Sequence, residues 1–289
     1  MAKIESRAPA KINLTLHVTG RRADGLHLVD SLVVFADFGD LMSVALADRT
    51  QLRITGPMAA DVSEGRENLV AQALETMGVD ADITLDKHLP VSGGIGGGSS
   101  DAAAVLRALA YLTGRPLPTD RGLSLGADLP VCLATPLAAR IRGIGEQLAP
   151  VPDLPEIPAL LVNPGRAVPT GVVFAHLACS DNPPMPEMPP QLEDAAALIG
   201  WLRDMRNDLE GPATVVEPAI AEVLTALMAT PGCGLARMSG SGATCVGLFE
   251  RTEAAKAAAG RLAADHPAWW VARVCLNPAN PGQLIRDTT

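Results

Sequence analysis

Apolar and polar residues alternate in short runs over the first third of the chain, a pattern typical of half-buried strands. The alternation predicts a strand over residues 12–18 and a hairpin that joins residues 32–38 to residues 41–46 through Gly39-Asp40. A further short strand, residues 83–85, precedes a glycine-rich segment. The beginning of the chain is therefore predicted to be rich in β structure.

Apolar residues at helical spacing predict the longer elements. Asn68 is placed to cap a helix that ends at Gly78, and a second helix is predicted over residues 102–112, before Gly114. A strand–turn–strand unit is predicted over residues 138–148. Beyond it, predicted helices over 192–203, 215–229 and 253–264 alternate with strands over 159–162, 235–238, 244–249 and 270–275. This alternation with short strands predicts an α+β sandwich.

Prolines interrupt the middle of the chain at positions 150, 152, 155 and 158. Each proline fixes φ and lacks an N–H donor, so the cluster is predicted to end regular structure there. With 289 residues, 48% of them hydrophobic, the chain exceeds one typical domain and has enough apolar material for two cores. We therefore predict two domains, residues 1–152 and 153–289.

The charge balance restricts the classes of partner. Lysine and arginine number 23 against 32 aspartates and glutamates, a net charge of −9, which argues against nucleic-acid binding and against an anionic membrane surface. The first residues lack the apolar segment of a signal peptide, and no apolar run is long enough to span a bilayer. Five scattered cysteines form no CxxC pair and indicate neither a disulfide framework nor a zinc site. We predict a cytoplasmic protein without a metal site of its own in the sequence pattern, in which any anionic ligand is held locally.

The densest glycine run is PVSGGIGGGSSDAA, residues 90–103. Glycines let the backbone approach a ligand with its N–H groups outward, and a helix that begins just after them adds the positive end of its dipole, so phosphate is the expected ligand. The run is not a Walker A loop, because Ser99 and not lysine follows Gly98, nor a dinucleotide fingerprint, because Ser99 occupies the place of the third glycine. The local alternative is a flexible loop before an ordinary helix.

Three other segments carry candidate chemistry. Lys11 and Asn13 lie two residues apart on a predicted strand and so point to one face, where they meet either a substrate or solvent. Asp128, in the apolar frame GADLPV, is either a catalytic acid or a helix cap. The small residues MSGSGA, 238–243, form either a plain turn or a loop that packs against phosphates.

Together these segments resemble a known family. PAKINL (residues 9–14), the glycine-rich run and SGSGA (residues 239–243) are similar, in this order, to the three motifs of the GHMP small-molecule kinases. The segments GGGSSDAA, RADGLH (22–27), ENL (67–69), GADLP (126–130) and NDLE (207–210) resemble the branch that phosphorylates the 2-hydroxyl of 4-diphosphocytidyl-2-C-methyl-D-erythritol in the non-mevalonate isoprenoid precursor pathway. The resemblance extends over nearly the whole chain. It implies an α+β, two-domain architecture, with a ribosomal-protein-S5-domain-2-like N-terminal domain and a ferredoxin-like α/β-sandwich C-terminal domain.

The resemblance also implies roles for individual residues. Asp128 would take the proton of the acceptor hydroxyl, and Lys11 would hold Asp128 ionised and stabilise developing charge. ATP, accompanied by Mg²⁺, would be the phosphoryl donor. The residues implied for ATP are Asn68, Pro90, Gly93, Gly94, Ile95, Gly96, Gly97, Gly98, Ser99, Ser100, Ser239 and Gly240. Those implied for the acceptor are Asn13, Asp24, His27, Thr170 and Phe174.

In the acceptor pocket implied by the resemblance, His27 would contact the edge of the cytosine and Phe174 would stack on its face. The alternatives are a structural histidine and a core phenylalanine. The family commonly has tyrosine where this chain has Leu26, so the stacking around the base is expected to differ.

Other functions share parts of this pattern. A GHMP kinase that acts on mevalonate, homoserine or a sugar would have the glycine loop without RADGLH or GADLPV. A nucleotide-binding regulator that had lost its chemistry would lack Lys11 or Asp128, and both are present. A dehydrogenase would need the third glycine and a parallel βαβ unit. The sequence therefore predicts an ATP-dependent small-molecule kinase.

Overall fold

The computed structural model describes residues 2–151, 153–279 and 285–288. Its strands are β1 (Lys3–Asn13), β2 (His17–Arg21), β3 (His27–Leu46), β4 (Gln51–Thr55), β5 (Ala81–Asp86), β6 (Ala139–Gly143), β7 (Gln147–Pro150), β8 (Ile157–Asn163), β9 (Cys233–Met238), β10 (Cys245–Phe249), β11 (Trp270–Leu276) and β12 (Ile285–Asp287). Its α-helices are α1 (Leu69–Met77), α2 (Gly97–Thr113), α3 (Leu129–Leu133), α4 (Thr170–Ala175), α5 (Ala195–Leu202), α6 (Glu210–Val216), α7 (Ala219–Met228) and α8 (Thr252–Asp265). None of these helices is both long enough and apolar enough to cross a membrane.

The long strand β3 organises the N-terminal half. It pairs antiparallel with β1, β2, β5 and β6, while β4 extends the sheet from β5 and β7 extends it from β6. Helices α1 and α2 cover one face of this sheet, because every second residue of the strands and one side of each helix are apolar. Ile4, Val44 and Ile83 of the sheet pack there against Val105 and Leu109 of α2.

The C-terminal half follows the order β-α-β-β-α-β, with β11, β8, β10 and β9 side by side and each neighbouring pair antiparallel. This is the ferredoxin-like arrangement. Helices α7 and α8 pack on one face of the sheet, and α5 packs on the other. The predicted α+β class is confirmed.

The two halves share a strand pairing and a core. Leu276 of β11 pairs with Ala36 of β3, and the Asn277 N–H donates to the Phe35 carbonyl at 2.8 Å. One buried apolar cluster contains residues of both halves, among them Ile12, Leu32, Val34, Leu161, Leu198 and Val246. The two halves are therefore joined by one core, and both contribute residues to a cavity between them.

The predicted domain boundary falls in the connection between β7 and β8, with Pro152 outside the described residues. The proline cluster interrupts less structure than expected. Pro150 is the last residue of β7, and Pro158 lies within β8 opposite Cys275 of β11. The division into residues 1–152 and 153–289 stays a prediction.

The predicted hairpin over residues 32–46 is wrong, because β3 runs through Gly39 and Asp40 as one strand of 20 residues. Gly39 pairs with Pro9 so closely that a Cβ would lie 2.1 Å from a β1 carbonyl oxygen. The Asp40 carboxylate accepts from the N–H groups of His88 and Leu89 at 2.5 and 2.8 Å. Gly-Asp here marks a close strand contact and a buried anchor instead of a turn.

Three other predicted boundaries are also wrong. The strand expected over residues 12–18 is divided between β1 and β2, and the helix expected over residues 215–229 is divided between α6 and α7. Pro218 lies at the second break, where its missing N–H cannot continue a helix. Helix α2 begins at Gly97, earlier than expected, so the second half of the glycine run is its first turn.

Candidate active site

A cavity of about 1430 Å³ lies among the glycine-rich loop, the β2–β3 hairpin and segments of both halves. Its lining includes the C-terminal part of β1, residues 61–63 and 67–69, the segment before α3, residues 168–171 and 174–175 at α4, and residues 240–241. The three segments singled out as candidate chemistry and the glycine-rich run therefore meet at one site.

Lys11 and Asp128 form an ion pair on the wall of this cavity. Lys11 Nζ lies 2.9 Å from Asp128 Oδ2 and donates to Asn13 Oδ1 at 2.9 Å. The Lys11 side chain is buried, whereas 36% of the Asp128 side chain is exposed. Asp128 immediately precedes α3, yet in the described structure its side chain makes no capping hydrogen bond. Its carboxylate instead faces Lys11, which removes the helix-cap alternative and leaves a partly exposed carboxylate beside a buried cation.

Asn13 is held by three neighbours. Its side-chain amide donates to Ser31 Oγ at 2.8 Å, its oxygen accepts from Lys11, and its backbone N–H donates to Ser239 Oγ at 3.1 Å. The Ser239 hydroxyl in turn donates to the Gly94 carbonyl at 3.0 Å. A continuous set of buried hydrogen bonds therefore connects β1, β3, the 239–243 loop and the glycine-rich loop.

The glycine-rich loop ends at the N-terminus of α2. Gly94 and Gly96 have φ values of 73° and 62°, in the left-handed region that favours glycine. A Cβ on Gly94 would lie 2.4 Å from the Ser239 carbonyl oxygen, and one on Gly96 would lie 2.9 Å from Lys11 Cε. The first turn of α2 lines the cavity beside Lys11, where its free N–H groups and dipole suit an anionic group.

A buried cluster of charged side chains lies against the end of the glycine-rich loop. Lys87 Nζ donates to Asp40 Oδ2 at 2.5 Å and to Asp101 Oδ2 at 2.7 Å, and a Cβ on Gly97 would lie 3.1 Å from Lys87 Nζ. Asp101 Oδ1 has no hydrogen-bond partner among the described residues. Burial raises the pKa of Asp101 above the usual carboxyl range, against the opposing charge of Lys87. This cluster was not predicted from the sequence. Its one local signal is that Lys87 and Asp101 flank the glycine run.

The other end of the cavity is aromatic. The rings of His27 and Phe174 stack on each other, with centroids 4.6 Å apart and an interplanar angle of 20°. Thr170, at the start of α4, shares a hydrogen bond with Ser241 at 2.8 Å. Burial, and secondarily the charge of Arg21, lowers the pKa of His27, which favours the neutral imidazole at neutral pH.

Most of the predicted site residues line this cavity. They are Lys11, Asn13, His27, Asn68, Pro90, Gly93, Gly94, Gly96, Gly97, Gly98, Ser99, Asp128, Thr170, Phe174 and Gly240. The Asn68 side chain is also engaged in local structure, since it accepts from the Val70 N–H at 2.9 Å as the N-cap of α1 and donates to the Ser63 carbonyl at 2.6 Å.

Four predicted residues are not among those that line the cavity. Ile95 and Ser239 are buried, and the Ser100 hydroxyl donates to the Pro9 carbonyl at 2.7 Å. Asp24 lies on the exposed hairpin turn, 2.7 Å from Arg22. Residues that line the cavity without having been predicted include Arg21, Ser31, Glu67, Lys87, Asp101 and Val168.

The chain is similar to proteins of one family. It matches the model of the GHMP kinases N terminal domain over residues 67–135 and that of the GHMP kinases C terminal over residues 190–268. It is 56% identical over 272 residues to the 4-diphosphocytidyl-2-C-methyl-D-erythritol kinase of Paracoccus denitrificans (strain Pd 1222), covering 94% of this chain and 96% of that protein. The corresponding kinase of Cereibacter sphaeroides (strain ATCC 17029 / ATH 2.4.9) is 55% identical over 271 residues, with 93% and 97% covered.

Solved structures agree with these matches. A crystal structure of 4-(cytidine 5'-diphospho)-2C-methyl-D-erythritol kinase superposes with a TM-score of 0.76 at 35% identity, covering 95% of this chain and 100% of that one. Homoserine kinase from Cytophaga hutchinsonii superposes with a TM-score of 0.63 at 18% identity, covering 99% and 96%. At that identity the second likeness concerns the fold alone.

Proposed function

The chain belongs to the GHMP kinases and, within them, to the 4-diphosphocytidyl-2-C-methyl-D-erythritol kinase family, and we propose that it transfers the γ-phosphate of ATP to the 2-hydroxyl of that acceptor. The observation that carries the proposal is the Lys11–Asp128 ion pair, at 2.9 Å, beside the N-terminus of α2 in one cavity. The cytoplasm, which supplies ATP, is the proposed location.

The chemical step depends on charge and position. The transition state of phosphoryl transfer carries charge spread over the transferred group, so fixed electrostatics supply most of the acceleration. Asp128 is partly exposed to the cavity and is placed to accept the proton of the acceptor hydroxyl. Lys11 is fixed by Asp128 and by Asn13, so its ammonium needs little reorganisation to stabilise the charge that develops.

The phosphates of ATP are proposed to bind the loop from Gly93 to Ser99. Its glycines leave the backbone accessible, and the N-terminus of α2 favours a negative group. Oxygen donors at this end also fit the Mg²⁺ that accompanies ATP, because the Ser99 hydroxyl lines the cavity and takes part in no described hydrogen bond. When bound, Mg²⁺ would offset charge on the phosphate oxygens.

The cytosine of the acceptor is proposed to bind at the aromatic end. The stacked rings of His27 and Phe174 give a flat surface, and the polar atoms of His27 and Thr170 can meet the base edge. Leu26 also lines the cavity, with 49% of its surface exposed, and offers aliphatic contact where an aromatic ring was expected from the family pattern.

A coupled assay of ADP release tests the acceptor. We expect 4-diphosphocytidyl-2-C-methyl-D-erythritol to stimulate ADP release well above the background with ATP alone, whereas mevalonate, homoserine and galactose should leave that background unchanged. The physical reason is that the aromatic end of the cavity matches a flat base, which the other three compounds lack. Stimulation by mevalonate or homoserine, together with none by the cytidyl compound, would contradict the proposed function.

A further inference from the structure

The lysine and arginine residues that line the described part of the cavity differ in how they are paired. They are Lys11, Arg21 and Lys87. Lys11 and Lys87 each have aspartate oxygens within 2.9 Å, so their charges are offset inside the protein. Arg21, by contrast, has no carboxylate within ion-pairing distance among the described residues. Its charge is therefore available to a ligand.

Arg21 is located at the aromatic end of the cavity. It is the last residue of β2 and the cross-strand partner of His27 in β3. Side chains at such positions have Cβ atoms about 5 Å apart. The Arg21 Nε donates to the Gly25 carbonyl at 3.1 Å, which fixes the guanidinium above the hairpin turn, while its terminal nitrogens have no described hydrogen-bond partner. The lowered pKa of His27 reflects this nearby charge after the larger effect of burial.

We infer that Arg21 binds the diphosphate of the acceptor, next to the base that His27 and Phe174 hold. The inference rests on the proposed function. In 4-(cytidine 5'-diphospho)-2C-methyl-D-erythritol the diphosphate joins the cytidine to the methylerythritol, so its charge must pass close to the residues that hold the base. A planar guanidinium with free terminal nitrogens matches phosphate oxygens in bidentate geometry.

The negative charge of the protein favours such a cation. The chain carries a net charge of −9, and Asp61 and Glu67 add carboxylates to the cavity lining. A diphosphate that entered without a cation would lose hydration with no opposite charge to compensate for it. In the proposed mechanism the α2 N-terminus and Lys11 bind the reacting phosphate. Among the described lining residues, Arg21 therefore remains to offset the charge of the acceptor diphosphate.

The neighbouring residue is a matched control. Arg22 adjoins Arg21 in sequence, but it pairs with Asp24 at 2.7 Å and is not among the residues that line the cavity. Arg21→Gln and Arg22→Gln therefore remove the same charge from adjacent positions. The Arg22 pair is half exposed on both sides, so its loss should cost little stability.

Steady-state kinetics with the full-length chain give the first readout. Arg21→Gln should raise KM for the acceptor about 10- to 100-fold, the effect of losing hydrogen bonds to a charged group, while kcat and KM for ATP stay within about twofold. Arg21→Lys should retain part of the affinity, because it keeps the charge without the planar fork. Arg22→Gln should behave like the unchanged protein.

Competitive inhibition by cytidine and by cytidine diphosphate distinguishes binding of the diphosphate from the shape of the base pocket, because cytidine lacks the diphosphate. Arg21→Gln should weaken inhibition by cytidine diphosphate and leave inhibition by cytidine unchanged. Equal weakening of both inhibitors would overturn the inference, since it would indicate a role in the shape of the base pocket. Kinetics of Arg21→Gln that match those of Arg22→Gln would also overturn it while leaving the proposed function intact. An unchanged protein that neither phosphorylates the acceptor nor is inhibited by cytidine diphosphate would overturn both.

Discussion

Asp128→Asn is expected to lower the rate of phosphoryl transfer about 10²–10⁴-fold, the usual contribution of a general base. Asparagine keeps the shape of the side chain and a hydrogen-bonding oxygen near Lys11, but it cannot accept the proton of the acceptor hydroxyl. Single-turnover kinetics with both substrates saturating isolate this step. The affinities for ATP and for the acceptor serve as internal controls and should change much less than the rate. A folded Asp128→Asn protein with a nearly normal rate would remove Asp128 from the chemical step.

Lys11→Met should also slow the transfer, because it removes the buried cation that faces Asp128. The two groups act on the same proton and the same developing charge, so their effects should not add. We expect the double variant to be little slower than the slower single variant. Strictly additive effects on the logarithm of the rate would indicate that the two residues act independently.

Gly96→Ala is expected to reduce kcat/KM for ATP about 10²-fold, as misplacement of a catalytic group by about 1 Å does in other enzymes. The new Cβ would lie 2.9 Å from Lys11 Cε, so Lys11 must move away from its place beside Asp128. The φ of 62° adds strain for any residue with a side chain. Steady-state kinetics with varied ATP measure kcat/KM, and titration with ATP reports binding separately.

Gly114→Ala is the matched control for that variant. Gly114 lies at the opposite end of α2 with a φ of 67°, and a Cβ there would meet nothing within 4 Å. Both variants therefore have similar backbone strain, about 1–2 kcal/mol, and Gly96→Ala should lose more stability in thermal unfolding because of its collision with Lys11. Only Gly96→Ala should lose activity. A comparable loss of activity in Gly114→Ala would show that strain in α2, and not the collision with Lys11, causes the effect.

Local chemistry explains which parts of the molecule could be predicted. The Asn68 cap and the Gly78 C-cap of α1 are set by the residues themselves, and the structure confirms both. Lys11 and Asn13 were expected on one face of a strand, and their 2.9 Å hydrogen bond confirms it. These features depend only on neighbours in sequence.

Features that depend on distant partners could not be predicted. Gly39-Asp40 has the composition of a turn, but pairing with β1 makes it part of a strand. Asp40 and Lys87 carry no sign of each other in the sequence, since 47 positions separate them. Small hydroxyl residues were a further difficulty, because Ser99 lines the cavity whereas Ser100, its neighbour on α2, faces the β1 backbone. The two side chains point in different directions because both lie in the first turn of α2. The predicted start of α2, at residue 102, left both serines outside the helix.

The pairing of β3 with β11 also determines when the apolar core shared by the two halves can be completed during synthesis. The Cys275 N–H donates to an Asp37 oxygen across 238 positions of sequence. Loop closure over such a distance must precede the contacts that reward it, which makes folding slow. Until β11 has left the ribosome, the apolar cluster shared by both halves lacks one of its walls. A nascent chain released before that point would expose this surface and would depend on chaperones to avoid aggregation.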